Sequence, residues 1–289
     1  MKKLFIIMLL FVFYFSGKAQ DKKEEIKDGW VKKGNVSFLL NQSTFSNWQA
    51  GGENNLSGNL GLNYDFDYKK ADLTWDNKLI ASYGLVKTKN AAFTKKTDDR
   101  LEFNSLIGQK AGGNWYYSGI LNFKTQFTKG YKYNTAAGVE TRTEYTNFFS
   151  PAYLNIGPGF LWKKSDDLKV NISPAASKFI FVDKNLTLPD QAYFGVDEGK
   201  TFRYELGFYT SAYYKFGLIE NVSAENILNL YANYLQDPQN IDIDYQLNLM
   251  LKINKFLTTN IAFQTIYDDN AFKGFQIRQV FGLSANVAF

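Results

Sequence analysis

Apolar side chains recur at every second position over stretches of ten or more residues, an apolar leader opens the chain, and long and short polar connections alternate behind it. Together these predict an all-β fold, an antiparallel up-and-down transmembrane β-barrel of about 12 strands. The clearest run is Leu56, Gly58, Leu60, Leu62, Tyr64, Phe66 and Tyr68, interleaved with Ser57, Asn59, Gly61, Asn63, Asp65 and Asp67. Ile241 to Ile253 and Phe202 to Phe216 alternate as cleanly. Strands of soluble domains run to about 5 or 6 residues, whereas membrane-crossing strands need roughly 9 to 11, and these runs match the second length.

In chain order, the first element is the leader. Lys2 and Lys3 precede an unbroken apolar run from Leu4 to Phe15, followed by Ser16, Gly17 and Ala19. This is the layout of a signal peptide over residues 1–19, cleaved after Ala19. The run is too short to be a membrane-crossing helix, which needs roughly 20 residues. Residues 20–35 are polar and charged, and we expect a flexible periplasmic N-terminal segment there. The outer-membrane β-barrel then occupies residues 36–289 as one unit. Its expected strands are 36–46, 55–68, 72–86, 100–109, 115–128, 151–163, 167–182, 201–216, 221–235, 241–253, 257–268 and 275–289.

Connections after the even-numbered strands are short, and those after the third, fifth and seventh are long and polar. Outer-membrane barrels sort their loops in this way, with tight turns in the periplasm and longer loops outside. Aromatic side chains cluster at strand ends: Tyr64, Phe66, Tyr68, Phe160, Trp162, Tyr214 and Phe216 at the expected periplasmic level, and Phe123, Phe127, Phe202, Tyr204, Tyr267 and Phe275 at the outer one. Rings with one apolar and one hydrogen-bonding end favour the headgroup level. The last strand ends on Phe289, which resembles the terminal signal read by the barrel assembly machinery during biogenesis.

Composition narrows the chemistry. The 289 residues contain no His and no Cys, so imidazole bases, thiol nucleophiles, disulfides and His/Cys metal sites are excluded. A nucleophile working near neutral pH needs a nearby base. No such pair is evident and no enzyme activity is expected; an Asp242 and Asp244 dyad is the one conceivable acid pair, and it arises routinely on a wet strand face. No cofactor is expected. Removing Lys2, Lys3 and Lys18 with the leader leaves 30 basic against 28 acidic side chains, which removes the charge argument for nucleic acid.

Between the first two strands lies Asn47, Trp48, Gln49, Ala50, Gly51, Gly52, Glu53, Asn54, preceded by Gly29 and Trp30. This segment resembles the N-terminal signature of domain-of-unknown-function family 3078, a family of Gram-negative outer-membrane proteins. The resemblance implies localisation and architecture but no activity. Physically, Gly51 and Gly52 suit a tight turn, Glu53, Asn54 and Asn55 are polar, and Trp48 can anchor the turn at a membrane interface. A ligand-contacting external loop is the alternative.

Residues out of phase with the apolar set face the lumen. A candidate constriction follows: Arg100, Glu102, Lys124, Arg203, Glu205, Asp242, Asp244 and Arg278, all expected in the outer half. Such charges either line an opening or pair into a plug. The expected function is a narrow passive pore for small polar solutes, the alternative a non-conducting structural or surface-interaction barrel. Expected partners are outer-membrane lipid and lipopolysaccharide, the latter through Lys87, Lys89, Lys95, Lys96, Lys129 and Lys132, with no soluble partner evident.

Overall fold

The computed structural model describes residues 28–46, 53–189, 192–254 and 256–289. The leader, Trp48, Gly51 and Gly52 therefore lie outside the described residues. Seven strands lead the order: β1 (Gly29–Ser43), β2 (Asn55–Lys70), β3 (Leu73–Thr88), β4 (Lys95–Gly112), β5 (Trp115–Thr125), β6 (Gly130–Ala136) and β7 (Val139–Thr146). Seven more follow: β8 (Ala152–Lys163), β9 (Leu168–Phe181), β10 (Phe202–Ile219), β11 (Val222–Asn233), β12 (Ile241–Lys252), β13 (Leu257–Asp268) and β14 (Phe272–Ala288). Twelve of them close a barrel in the order β1, β14, β13, β12, β11, β10, β9, β8, β5, β4, β3, β2, while β6 and β7 pair only with each other.

Period two makes this fold because each strand presents an apolar face outward and a polar face inward. Leu60, Ile107, Ile156, Phe281 and Leu283 are exposed on the outside, whereas Glu102, Asn122, Asn171, Glu205 and Gln246 are buried inside. Such inversion of the soluble-protein pattern is stable only against lipid. The outward aromatics form the two expected girdles. At the short-turn end Trp30 packs on Tyr68 and Trp75, Tyr117 on Phe160, and Tyr214 on Phe216. At the long-loop end Phe179 packs on Tyr204 and Phe181, Phe123 on Phe149, and Tyr267 on Phe275.

Three departures from the sequence reading have physical causes. Strand β1 begins at Gly29 rather than 36, with Trp30 opposite Tyr68 and Lys33 opposite Asp65, so residues 29–35 are strand and not a flexible segment. Lys32 and Lys33 hide the alternation there. Residues 130–146, expected as loop, form the β6–β7 hairpin. Finally, β9 carries a bulge at Pro174 and Ala175, because Gly207 faces Ala176 while Tyr209 faces Ser173. The bulge flips the phase, so Ser173 and Ala176 both point inward.

The barrel closes where Asn35–Leu39 pair with Ser284–Ala288. Beyond that ladder, Gly34 and Phe289 exchange backbone hydrogen bonds at 2.8 and 3.0 Å. The Phe289 ring lies over Gly34, where a Cβ would come within 2.6 Å of ring carbon Cε2, and stacks on Tyr64. Only glycine admits this approach.

The β6–β7 hairpin sits at the long-loop end. Lys95 and Glu140 pair at 2.5 Å, Lys129 and Glu144 at 2.6 Å, and the Arg142 guanidinium lies over the Phe93 and Tyr131 rings. Tyr193 donates to the Tyr145 carbonyl, and burial pushes the Tyr193 hydroxyl up to about 12. The hydrogen bond from Lys95 holds the Glu140 carboxyl below its usual range. A depressed carboxylate stabilises only while ionised, so this contact is present above the ordinary Glu pKa of about 4.3 and is lost as pH falls through the lower folded value. Limited proteolysis at the hairpin should therefore accelerate as pH falls through that lowered value in wild type, and the acceleration should be smaller in Glu140→Gln.

Candidate functional site

The lumen-facing charges are organised by strand register into four groups at different heights. Nearest the short-turn end, Lys163 donates to both oxygens of Asp76 at 2.9 Å, and Lys169 donates to one of them at 2.6 Å. Above it Lys78 bridges Glu225 at 3.1 Å and Asp65 at 3.4 Å, and the Tyr213 hydroxyl donates to Glu225 at 2.9 Å. These two groups pair β3 with β8 and β9, and β3 with β11.

The third group crosses the barrel. Lys124 on β5 pairs with Asp244 on β12, and Gln264 donates to the other oxygen of Asp244 at 2.9 Å. Arg100 on β4 pairs with Glu102 and donates to Gln246 on β12 at 2.9 Å. Asn104 donates to Glu102 at 2.8 Å. In the ring of strands β4 and β12 stand diametrically opposite, and so do β3 and β11. Opposing walls therefore touch directly through side chains, beside a cluster in which Ile120, Ala176, Tyr209 and Tyr231 pack with Leu106.

The fourth group lies towards the long-loop end. Lys178 pairs with Asp242 at 2.7 Å and approaches Glu205 at 3.7 Å and Asp268 at 3.8 Å. Arg203 pairs with Glu205 at 2.8 Å and donates to the Gly195 carbonyl, Asn270 and Gln236, each at 3.1 Å. Carboxylate oxygens of Asp242, Asp268 and Asp269 lie within 4.8 Å of one another. The Lys178 ammonium already supplies the positive charge between two of these acids.

The eight residues of the expected constriction thus do not form one ring. Arg100, Glu102, Lys124 and Asp244 come together at mid-height. Arg203, Glu205 and Asp242 join the upper group, and Arg278 pairs with Asp98, to which Asn59 also donates at 3.0 Å. Asp242 and Asp244 have separate lysine partners and do not act as a dyad. Sequence reasoning missed Lys163, Lys169, Lys178, Asp98 and Asp268. Lys178 is the instructive case, because its phase is set by the Pro174–Ala175 bulge. Of the signature segment, Glu53 accepts from the Asn90 backbone at 3.3 Å, while Asn54 accepts from the Phe45 backbone at 2.6 Å. The first bond, with one from the Lys89 N–H to the Asn54 carbonyl at 2.8 Å, ties the β1–β2 loop to the β3–β4 loop, and the second closes the β1–β2 loop on itself.

Of the six lysines expected to meet lipopolysaccharide, Lys95, Lys96 and Lys129 are held by Glu140, Asp99 and Glu144. Lys132 lies 3.5 Å from the centre of the Tyr145 ring, and Lys87 donates to the Ala91 carbonyl. Internal contacts hold these five in place.

Solved structures similar in fold include the translocator domain of autotransporter NalP from Neisseria meningitidis, at 9% identity over 93% of this chain and 88% of that one, with a TM-score of 0.38. The COG4313 outer membrane channel from Pseudomonas putida F1 has 9% identity over 94% and 99%, with a TM-score of 0.38. The outer membrane channel DcaP of Acinetobacter baumannii has 10% identity over 90% and 96%, with a TM-score of 0.32. No curated protein matches the chain. Residues 40–131 match the model of the family described as Protein of unknown function (DUF3078), the family that the Asn47–Asn54 segment resembles.

Proposed function

We propose that this protein is an outer-membrane β-barrel, exported by the leader over residues 1–19, whose lumen is closed at mid-height by paired charges. Its contacts are then made by its two ends and its lipid face, with outer-membrane lipid around it and the barrel assembly machinery engaged during insertion. One observation carries the reading: Lys124–Asp244 and Arg100–Gln246 link walls that face each other across the lumen. An open passage for solutes needs those walls apart, and twelve strands lie between the roughly eight that side chains fill and the 16 to 18 that leave a water channel.

Planar-bilayer recording tests it. Purified protein should insert without discrete current steps under conditions where a known porin conducts. Steps from the wild type would instead support a narrow pore for small polar solutes, a reading favoured by the cavities on both sides of the mid-height contacts. The lower cavity is about 160 Å³ and the upper about 20 Å³.

Orientation follows from loop parity. A cysteine at Thr141, on the hairpin at the long-loop end, should react with an impermeant thiol reagent in intact cells. A cysteine at Ile219, at the short-turn end, should react only after the outer membrane is permeabilised. The reverse pattern would invert the barrel.

A further inference from the structure

The cavity below the mid-height contacts has features that a mere gap between ion pairs would lack. Its volume is about 160 Å³, and a cavity of roughly 150 Å³ accepts a benzene-sized ring. The inner part mixes apolar side chains, Leu106, Ile120, Ile227 and the Tyr209 ring, with the amides of Asn104, Asn122 and Asn229. The lining charges near the middle neutralise one another, since Lys78 is held by Glu225 and Asp65, and Lys169 by Asp76. Towards the short-turn end, by contrast, the lining includes Lys33, Lys215, Asp67 and Asp167, for which no ion pair within 4.0 Å is found among the described residues. Asp67 accepts from the Asn77 backbone at 3.0 Å, and charges of both signs that are not held in ion pairs thus surround the mouth.

A second, independent observation lies at the inner end. Asn229 lines the cavity, is only 9% exposed, and accepts a hydrogen bond from the Tyr209 hydroxyl at 2.8 Å. Its Nδ2 is buried without a partner. Turning the amide over would satisfy one atom and orphan the other, so one polar atom lacks a partner in either orientation. A buried donor of this kind costs stability unless something bonds to it. Asn229 pairs across the ladder with Ser211, four residues along β10 from Lys215. At about 3.3 Å per residue this spans roughly 13 Å, which the reach of a lysine side chain shortens to the length of a small aromatic amino acid.

We infer that this cup binds a small zwitterion with an apolar body and a hydrogen-bonding tip. The tip meets Asn229, the body lies against Ile120 and Ile227, and the two charges meet the acids and bases of the mouth. L-Tyrosine has this chemistry and serves as the probe; L-phenylalanine lacks the tip, and tyramine lacks the carboxylate.

The experiment is calorimetric titration of the full-length mature protein, folded in detergent micelles, with each probe. L-Tyrosine should bind saturably, with phenylalanine and tyramine each about tenfold weaker, the loss expected for one polar contact. Asn229→Leu should weaken tyrosine about tenfold and leave phenylalanine within twofold, whereas Ile120→Trp, which fills the cup, should abolish binding of both. Heat-modified mobility on electrophoresis reports whether each variant is folded, and Ile227→Trp replaces Ile120→Trp if the latter fails that check. Absence of saturable tyrosine binding at millimolar concentration, or equal tyrosine binding by wild type and a folded Asn229→Leu, would overturn the inference. It stands apart from the closed-lumen reading, which bilayer current would refute without affecting these titrations.

Discussion

Lys124→Met should destabilise the barrel by up to about 3 kcal/mol, the lower end of the penalty for breaking a fully buried ion pair, because Lys124 and Asp244 are partly buried, at 24% and 13% side-chain exposure. The substitution removes the cation facing Asp244 from β5, and Asp244 keeps only the neutral Gln264 donor among its hydrogen bonds. Glu102, which is 1% exposed, keeps Arg100 and Asn104 and is affected less. Urea unfolding in detergent, followed by loss of the compact electrophoretic form, measures the effect. The second variant, Lys124→Met with Asp244→Leu, removes both charges and should recover most of the loss, because no unpaired ion remains. A further variant reads the lumen: if paired charges close it, Lys124→Ala with Arg100→Ala, which removes both contacts across it, should show current steps that the wild type lacks. Silence of that variant, with Lys124→Met fully stable, would mean that these side chains are solvated and hold nothing shut.

A second large effect is expected on the lipid face. Leu62 sits at the middle of β2, between Val36 and Ala81 on the neighbouring strands, and points outward. Arginine there should cost about 2 to 4 kcal/mol, as charges do at the midplane of other barrels. Asn63, one residue on, faces the lumen side and is exposed, so Asn63→Arg should cost well under 1 kcal/mol, about the range of surface substitutions. Equilibrium refolding into thin-chain phospholipid vesicles measures both. Equal penalties would mean that the outer surface is not in lipid.

The contrast between neighbouring residues shows how far the chain is legible. Wherever alternation is unbroken, as from Asn55 to Tyr68 or from Ile241 to Lys252, one side chain out of phase with the lipid face identifies the lumen. Strand bounds read this way fall close to those observed. The alternation fails where charge or geometry interrupts it: at Lys32 and Lys33, which conceal the start of β1, and at Gly130–Thr146, whose hairpin stands outside the barrel sheet and lacks a continuous apolar face. At the Pro174–Ala175 bulge one extra residue turns Lys178 inward. A bulge is a property of two strands, because it is the mismatch between Ser173–Ala176 and Tyr209–Gly207 that defines it, and no single strand displays it.

Local chemistry alone determined the twelve barrel strands, the polar lumen, the outer aromatics and the exclusion of imidazole and thiol chemistry, because each depends on residue type and most on a period of two. Pairing across the lumen belonged to the tertiary structure. Lys124 and Asp244 are 120 residues apart, and Arg278 and Asp98 are 180 apart. Whether such charges meet depends on register accumulated around the ring and on bulges that shift it. A one-residue slip at any ladder would rotate a partner to the other face, so the opening or closing of this lumen is decided only when all twelve strands have closed.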